Sequence, residues 1–232
     1  VTGRTDFELG GSGRTDAGVH ALAQVAHLDV VTTLGDEVLR RRLNDELPAD
    51  INILGVARAA RTFHSRHDAT SRRYLYQVAK RRTAFAKPYV WWVKEPLDVA
   101  AMRAAAQALV GMRDFTAFAA SDARGRSSRD EDETPPSTLV LIDQLAVVDA
   151  GGLVLVSVEG SHFLWKMVRR IVGVLAEVGR GQMTAADVAA LLTTPSDAPA
   201  RLTAPASGLF LARVLYRGDR RDPAIALRGL LH

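Results

Sequence analysis

The chain has 232 residues, 47% of them hydrophobic and 24% charged, with a formal net charge of +4 and no cysteine. That length supports one large or two small domains around a real core, and the missing cysteines exclude a disulfide framework, a thiolate nucleophile and any zinc site that needs sulfur. No stretch approaches the roughly 18 apolar residues of a membrane span and no basic-then-apolar leader opens the chain, so the expectation is a cytoplasmic protein with no membrane partner.

Near the start, Gly13-Arg14-Thr15-Asp16-Ala17-Gly18-Val19-His20-Ala21 places a short-tethered carboxylate between two glycines. Glycine can turn at positive φ and lets a ligand approach the backbone closely. From Gln24 to Val31 the β-rich composition predicts a strand. Leu39, Leu43 and Leu47 recur at i, i+4 and i+8 and predict a helix over Asp36–Leu47, stopped by Pro48. Ile51, Ile53 and Leu54 through Val56 suggest a strand. Next, Tyr74, Tyr76 and Val78 alternate with Arg73, Leu75 and Gln77, the two faces of another strand. Alanine-rich Asp98–Val110 reads as a helix with Gly111 at its C-cap. Ser121 to Ser137 reads as a long polar loop, with an acidic run Asp130–Glu133 suited to a solvated tip. Two strands, Thr138–Val148 and Leu153–Glu159, flank a Gly151-Gly152 hairpin turn. Leu164–Val178 is a strongly amphipathic helix with Val168, Ile171, Val172, Leu175 and Val178 on one face. Thr184-x-x-Asp187 opens a short helix to Leu192 as a capping box, and Leu209–Tyr216 closes as a strand. Strands and helices mix without regular βαβ alternation, so the fold class is α+β with mainly antiparallel sheet.

Basic residues cluster at Arg40–Arg42, Arg72-Arg73, Lys80–Arg82, Arg124 with Arg126 and Arg129, Lys166 with Arg169-Arg170, and Arg217 with Arg220-Arg221. Only four of the 30 are lysine. Arginine's planar fork matches phosphate oxygens and stacks on bases; a genomic bias toward arginine codons explains the composition equally well. Arg14 could hold a phosphate beside Asp16. On residue types alone, an Asp after Gly is an Asx-turn or a helix cap. Arg169 alone reads as a surface residue at the edge of an amphipathic stripe, and Tyr74 and Phe163 alone read as core aromatics. His64 and His67 lie at i, i+3, but with no His-Glu-x-x-His string or clear carboxylate ligand the expectation is no metal. Gly10-Gly11-Ser12-Gly13 lacks the Gly-Lys-Ser/Thr ending of a phosphate-binding loop.

The nine residues Gly13–Ala21 resemble the signature of the tRNA pseudouridine synthase A family, in which this aspartate is the nucleophile. Five further segments resemble family anchors in family order: Gln24-Val25 with His27–Asp29, Phe63–Arg66 followed by Ser71–Tyr76, Asp114–Phe118, Phe163 with Met167–Gly173, and Ser207–Leu211. Ordered anchors around a rare nonamer are far more specific than one short motif. Gly3-Arg4-Thr5-Asp6 echoes Gly13–Asp16, but only the second copy continues into Ala-Gly-Val-His, so the resemblance assigns the nucleophile to Asp16. The family also opens with a strand-helix segment carrying Tyr-Asp-Gly and Gly-Trp elements, which do not precede the nonamer here.

The resemblance implies two α/β sandwich domains, 1–96 with the catalytic Asp and 97–232, sharing a continuous sheet around a basic cleft. It implies an isomerase that turns uridine into pseudouridine at positions 38–40 of the tRNA anticodon stem-loop, working as a homodimer without metal or small-molecule cofactor. Arg169 is then the counter-charge to Asp16. Tyr74 becomes the aromatic that stacks on uracil, with its hydroxyl placed to help with the C5 proton. Phe163 walls the pocket, and His64 and Arg66 shape the RNA path. Two other readings compete. A non-catalytic tRNA-binding or remodelling protein explains the basic clusters but leaves Asp16 without a role. A glycoside hydrolase wants a second carboxylate across the bond, and no paired-acid pattern stands out.

Overall fold

In a computed structural model of the chain, residues 1–3, 5–120 and 137–221 are described. Their elements in chain order are β1 (Phe7–Gly11), β2 (His20–Ala21), β3 (Ala26–Val30), α1 (Asp36–Glu46), β4 (Ala69–Ala79), β5 (Trp91–Trp92), α2 (Val99–Ala106), β6 (Gly111–Asp114), β7 (Leu139–Ala150), β8 (Leu153–Gly160), α3 (Met167–Gly179), α4 (Ala185–Ala190), α5 (Ala198–Arg201) and β9 (Leu209–Tyr216). They divide into two compact units, Val1–Arg14 with Val25–Ala69, and Thr15–Gln24 with the described part of Thr70–His232. The expected loop from Ser121, its acidic run Asp130–Glu133 and the basic residues Arg124, Arg126 and Arg129 lie outside the described residues.

In the first unit, β1 and β3 form an antiparallel pair with Phe7 opposite Val30 and Gly11 opposite Ala26. Gly10 is required there, because a Cβ would lie 2.3 Å from the His27 ring. The buried Ser65 hydroxyl donates to the Gly10 carbonyl at 2.9 Å. Helix α1 ends as expected, with the Leu47 N–H donating to the Leu43 carbonyl just before Pro48. The strand expected at 51–56 is not formed. Its backbone is engaged by α1 instead: the Ile53 N–H donates to Asn44 Oδ1 at 2.7 Å, and Asn44 Nδ2 donates to the Ile53 carbonyl at 3.0 Å. A side-chain amide that satisfies both backbone groups of one residue leaves nothing there for a ladder.

The second unit is built on a seven-stranded sheet in the order β2-β9-β4-β8-β7-β6, with β5 paired to β4. Pairs β4–β8, β7–β8 and β6–β7 are antiparallel, while the two-residue strands β2 and β5 pair in parallel with β9 and β4. The fold is therefore mixed α and β with a mostly antiparallel sheet, as the element pattern predicts. The hairpin turns at Gly151, whose φ of +71° is open to glycine and strained for other residues.

One sheet face carries Tyr76, Val78, Val154, Val156 and Val158 into the main core, against Met102, Ala105 and Leu109 and the apolar stripe of α3. Burying an aliphatic side chain of this kind contributes about 1.5–3 kcal/mol, and all five expected stripe residues of α3 are buried. The opposite face holds a small cluster of Leu75, Leu155 and Phe210 and the pair of half-buried Arg73 with buried Glu159, Nε to Oε2 at 2.7 Å. Helix α3 begins three residues later than its periodicity predicts, because Lys166 stands at φ +60° and breaks the first turn. Gly173 lets α3 meet the backbone of Leu202, whose carbonyl oxygen would lie 1.6 Å from a Cβ. The capping box at Thr184 and Asp187 is present in both directions.

Several residues of the basic clusters are committed to the fold. Arg170 is buried and donates to the Ala119 carbonyl, while its Nε has no hydrogen-bond partner among the described residues; burial pushes its guanidinium down from its ordinary value. Arg40 pairs with Glu37, Lys80 with Asp149, and Arg221 with Asp143 and Glu159.

Candidate active site

Asp16 stands on a tight turn in which its carbonyl accepts from the Val19 N–H at 3.0 Å. Gly18 sits at the third position of that turn with φ +78°, where a residue with a Cβ would be strained. The chain then enters β2, whose His20 and Ala21 lie against Phe210 and Leu211 of β9, and the Leu22 N–H extends the pairing to the Leu211 carbonyl at 2.9 Å. The carboxylate is thus carried on a turn hydrogen-bonded into the sheet. His20 is absorbed by packing: its ring stacks on Phe210 at 4.9 Å and bonds the Pro88 carbonyl at 2.8 Å.

Two residues, Arg169 in the first turn of α3 and Trp165 just before that helix, meet the Asp16 side chain. Arg169 Nη1 lies 3.7 Å from Oδ2, an ion pair too long for a hydrogen bond. Its Nε donates to the Ala204 carbonyl at 2.7 Å, and the Ala204 N–H returns a bond to the Arg169 carbonyl at 3.1 Å. The guanidinium is mostly buried, 16% exposed against 37% for the carboxylate. Trp165 supplies the second contact, with Nε1 donating to Oδ1 at 3.0 Å. Nothing in the sequence pattern points to Trp165. It lies two residues after Phe163, but no periodicity or motif spacing marks a tryptophan that bonds a residue 149 positions away.

Tyr74 projects from β4, opposite Val158 of β8, and meets Phe163 edge-on with ring centroids 5.2 Å apart. Burial raises its phenol above the ordinary tyrosine value; Arg72 opposes the shift and the charge of Asp16 adds to it. Tyr76, two residues on, is fully buried and donates to the Pro205 carbonyl at 2.8 Å, with its phenol pushed up by burial. Asp16, Tyr74, Phe163 and Arg169 therefore belong to one compact unit, whereas Arg14, His64 and Arg66 belong to the other. Arg14 and Arg66 are exposed. The His64 ring lies tilted against those of His27 and His67, with centroids 4.5 and 4.1 Å away, and its Nδ1 accepts from the backbone of Arg66 and His67, each at 3.2 Å. Among the described residues no group of three or more His, Cys, Asp or Glu could hold a metal ion, and no helix is long and apolar enough to cross a membrane.

A carboxylate aimed by a neutral donor, faced by a guanidinium and near a protonated phenol, suits covalent or general acid–base work at a sugar or base. Residues 105–217 match the family model described as tRNA pseudouridine synthase. The tRNA pseudouridine synthase A of Rhodospirillum rubrum is 38% identical over 219 residues, covering 93% of this chain and 75% of that one. That of Brucella ovis is 41% identical over 216 residues, covering 91% and 82%, and that of Levilactobacillus brevis is 38% identical over 216 residues, covering 92% and 77%. The chain belongs to the tRNA pseudouridine synthase A family.

Proposed function

We propose that this protein isomerises uridine to pseudouridine at positions 38–40 of the tRNA anticodon stem-loop, with Asp16 as the nucleophile. The observation that carries the reading is the Asp16 carboxylate meeting the Arg169 guanidinium at 3.7 Å, in the family's signature turn and near Tyr74. The reaction breaks the C1′–N1 bond, turns the uracil and rejoins it through C5, so no oxidant, phosphate energy or metal enters its balance. The carboxylate serves the cleavage, by attack or by promoting a glycal. Arg169 balances its charge, and the low-dielectric flank of the pair strengthens that attraction. A uridine inside a stem cannot reach a carboxylate, so the base is taken out of its stack. Tyr74 and Phe163 offer it an aromatic wall, and the Tyr74 hydroxyl is placed to help with the C5 proton. Arg14, His64 and Arg66 guide the RNA backbone.

The same reading includes a cytoplasmic homodimer in which each tRNA touches both subunits. It also takes residues 1–96 and 97–232 as two domains sharing a sheet beside a basic cleft. The pairing of β4, from the first part, with β8, from the second, supports the shared sheet. The deciding experiment is Asp16→Asn. Turnover should vanish while tRNA affinity stays within a few-fold, because arginines supply most of the binding. Substantial pseudouridine formation by this variant under single-turnover conditions ends the assignment, and an unmutated protein that binds tRNA yet forms no pseudouridine favours a tRNA-binding protein.

A further inference from the structure

We propose that Trp165 is a positioning residue for Asp16: its indole N–H fixes Oδ1, so that Oδ2 alone is presented to the sugar and to Arg169. The inference rests on Asp16 being the nucleophile. Among the described residues, the indole is the only side chain that hydrogen-bonds the Asp16 carboxylate, at 3.0 Å. Arg169 stands farther off, at 3.7 Å, with its Nε already committed to the Ala204 carbonyl. Charge and aim therefore come from different residues. An indole is a neutral donor with no acceptor lone pair, so it holds one oxygen without adding charge to the site. The aim matters because an Asp side chain on a turn can otherwise rotate, and a reacting oxygen displaced by an ångström costs rate steeply.

The surroundings hold the indole itself in place. Lys166 Nζ lies over its ring at 4.3 Å from the centroid, a cation–π contact that restrains ring rotation. The turn that presents Trp165 is tied at both ends, by the Ala120 N–H on the Trp165 carbonyl at 3.1 Å and the Met167 N–H on the Leu164 carbonyl at 3.0 Å. Lys166 at φ +60° is the one non-glycine positive φ among the described residues. Such backbone strain persists where surrounding contacts enforce it, and here it sets the indole at the carboxylate.

Trp165→Phe keeps a ring under Lys166 and removes the N–H. Its single-turnover rate should fall about 10- to 100-fold, the worth of one hydrogen bond to a charged group, with tRNA affinity and melting temperature near wild type. Trp165→His restores a ring N–H and should recover part of the rate. A second readout is independent of turnover. Asp16→Ala should shift tryptophan emission in the wild-type background and leave it unchanged in Trp165→Phe. A Trp165→Phe enzyme with wild-type rate overturns the proposal. So does a rate loss that His does not recover, together with an Asp16→Ala emission shift that persists without Trp165. Failure of the nucleophile reading looks different: Asp16→Asn stays active while the emission coupling remains.

Discussion

Gly173→Ala sets two effects of opposite sign against each other. Alanine is the better helix former, by about 1 kcal/mol, so helix propensity alone makes the variant more stable. Packing says the reverse. The added Cβ would lie 1.6 Å from the Leu202 carbonyl oxygen, where ordinary contact begins at 3.4 Å, so the facing backbone must retreat by roughly 1.8 Å. Overpacking of this kind costs about 1–3 kcal/mol. The retreating segment includes Ala204, whose carbonyl holds Arg169 Nε at 2.7 Å, and losing a hydrogen bond to a charged group costs about 1.5–3 kcal/mol more. The net is a destabilisation of about 1.5–5 kcal/mol. At about 2–4 °C per kcal/mol for a domain of this size, the melting temperature should drop by roughly 3–20 °C. Calorimetry measures the drop, and a single-turnover assay on the folded protein should show slower pseudouridine formation, because Arg169 has lost its anchor. An unchanged or raised melting temperature would refute the reasoning.

Tyr74→Phe keeps the stacking ring and removes the hydroxyl, so tRNA should bind normally while tritium release from [5-³H]uridine tRNA slows. Tyr74→Leu should lose binding as well, since base–aromatic stacking is worth roughly 1–3 kcal/mol; wild-type tritium release by the Phe variant removes the hydroxyl from the mechanism. The same variant tests burial. A phenol raised in the folded state above its unfolded value of about 10 stabilises the fold below about pH 10, and that stability is lost as pH climbs through the folded value. Wild type should therefore lose urea stability relative to Tyr74→Phe between about pH 9 and 11, and parallel curves would contradict the burial argument. Finally, light scattering should give a dimer mass and tRNA affinity should fall steeply with salt; a monomer with a shallow salt slope contradicts the shared-tRNA reading.

The sequence by itself determines what neighbouring residues encode. The stripe of α3, the Thr184 capping box, the Gly151-Gly152 hairpin and the alternation through Tyr74 are short-range patterns, since burial on one face repeats every 3.6 or 2 residues. The antiparallel character of the sheet and the family signature around Asp16 belong to the same class. Tertiary structure decides matters that local pattern leaves open. The apolar run at 51–56 looks like a strand, yet Asn44 takes both backbone groups of Ile53. Strands β2 and β5 have two residues each, too few for any period, and exist because β9 and β4 offer them partners. Arg169 and Arg170 are adjacent and chemically identical, and the helical turn sends one toward Asp16 and buries the other against Ala119. The Trp165 bond to Asp16 spans 149 positions. A contact of that kind depends on where sheet and helix bring two distant segments, and no local property of either segment records it.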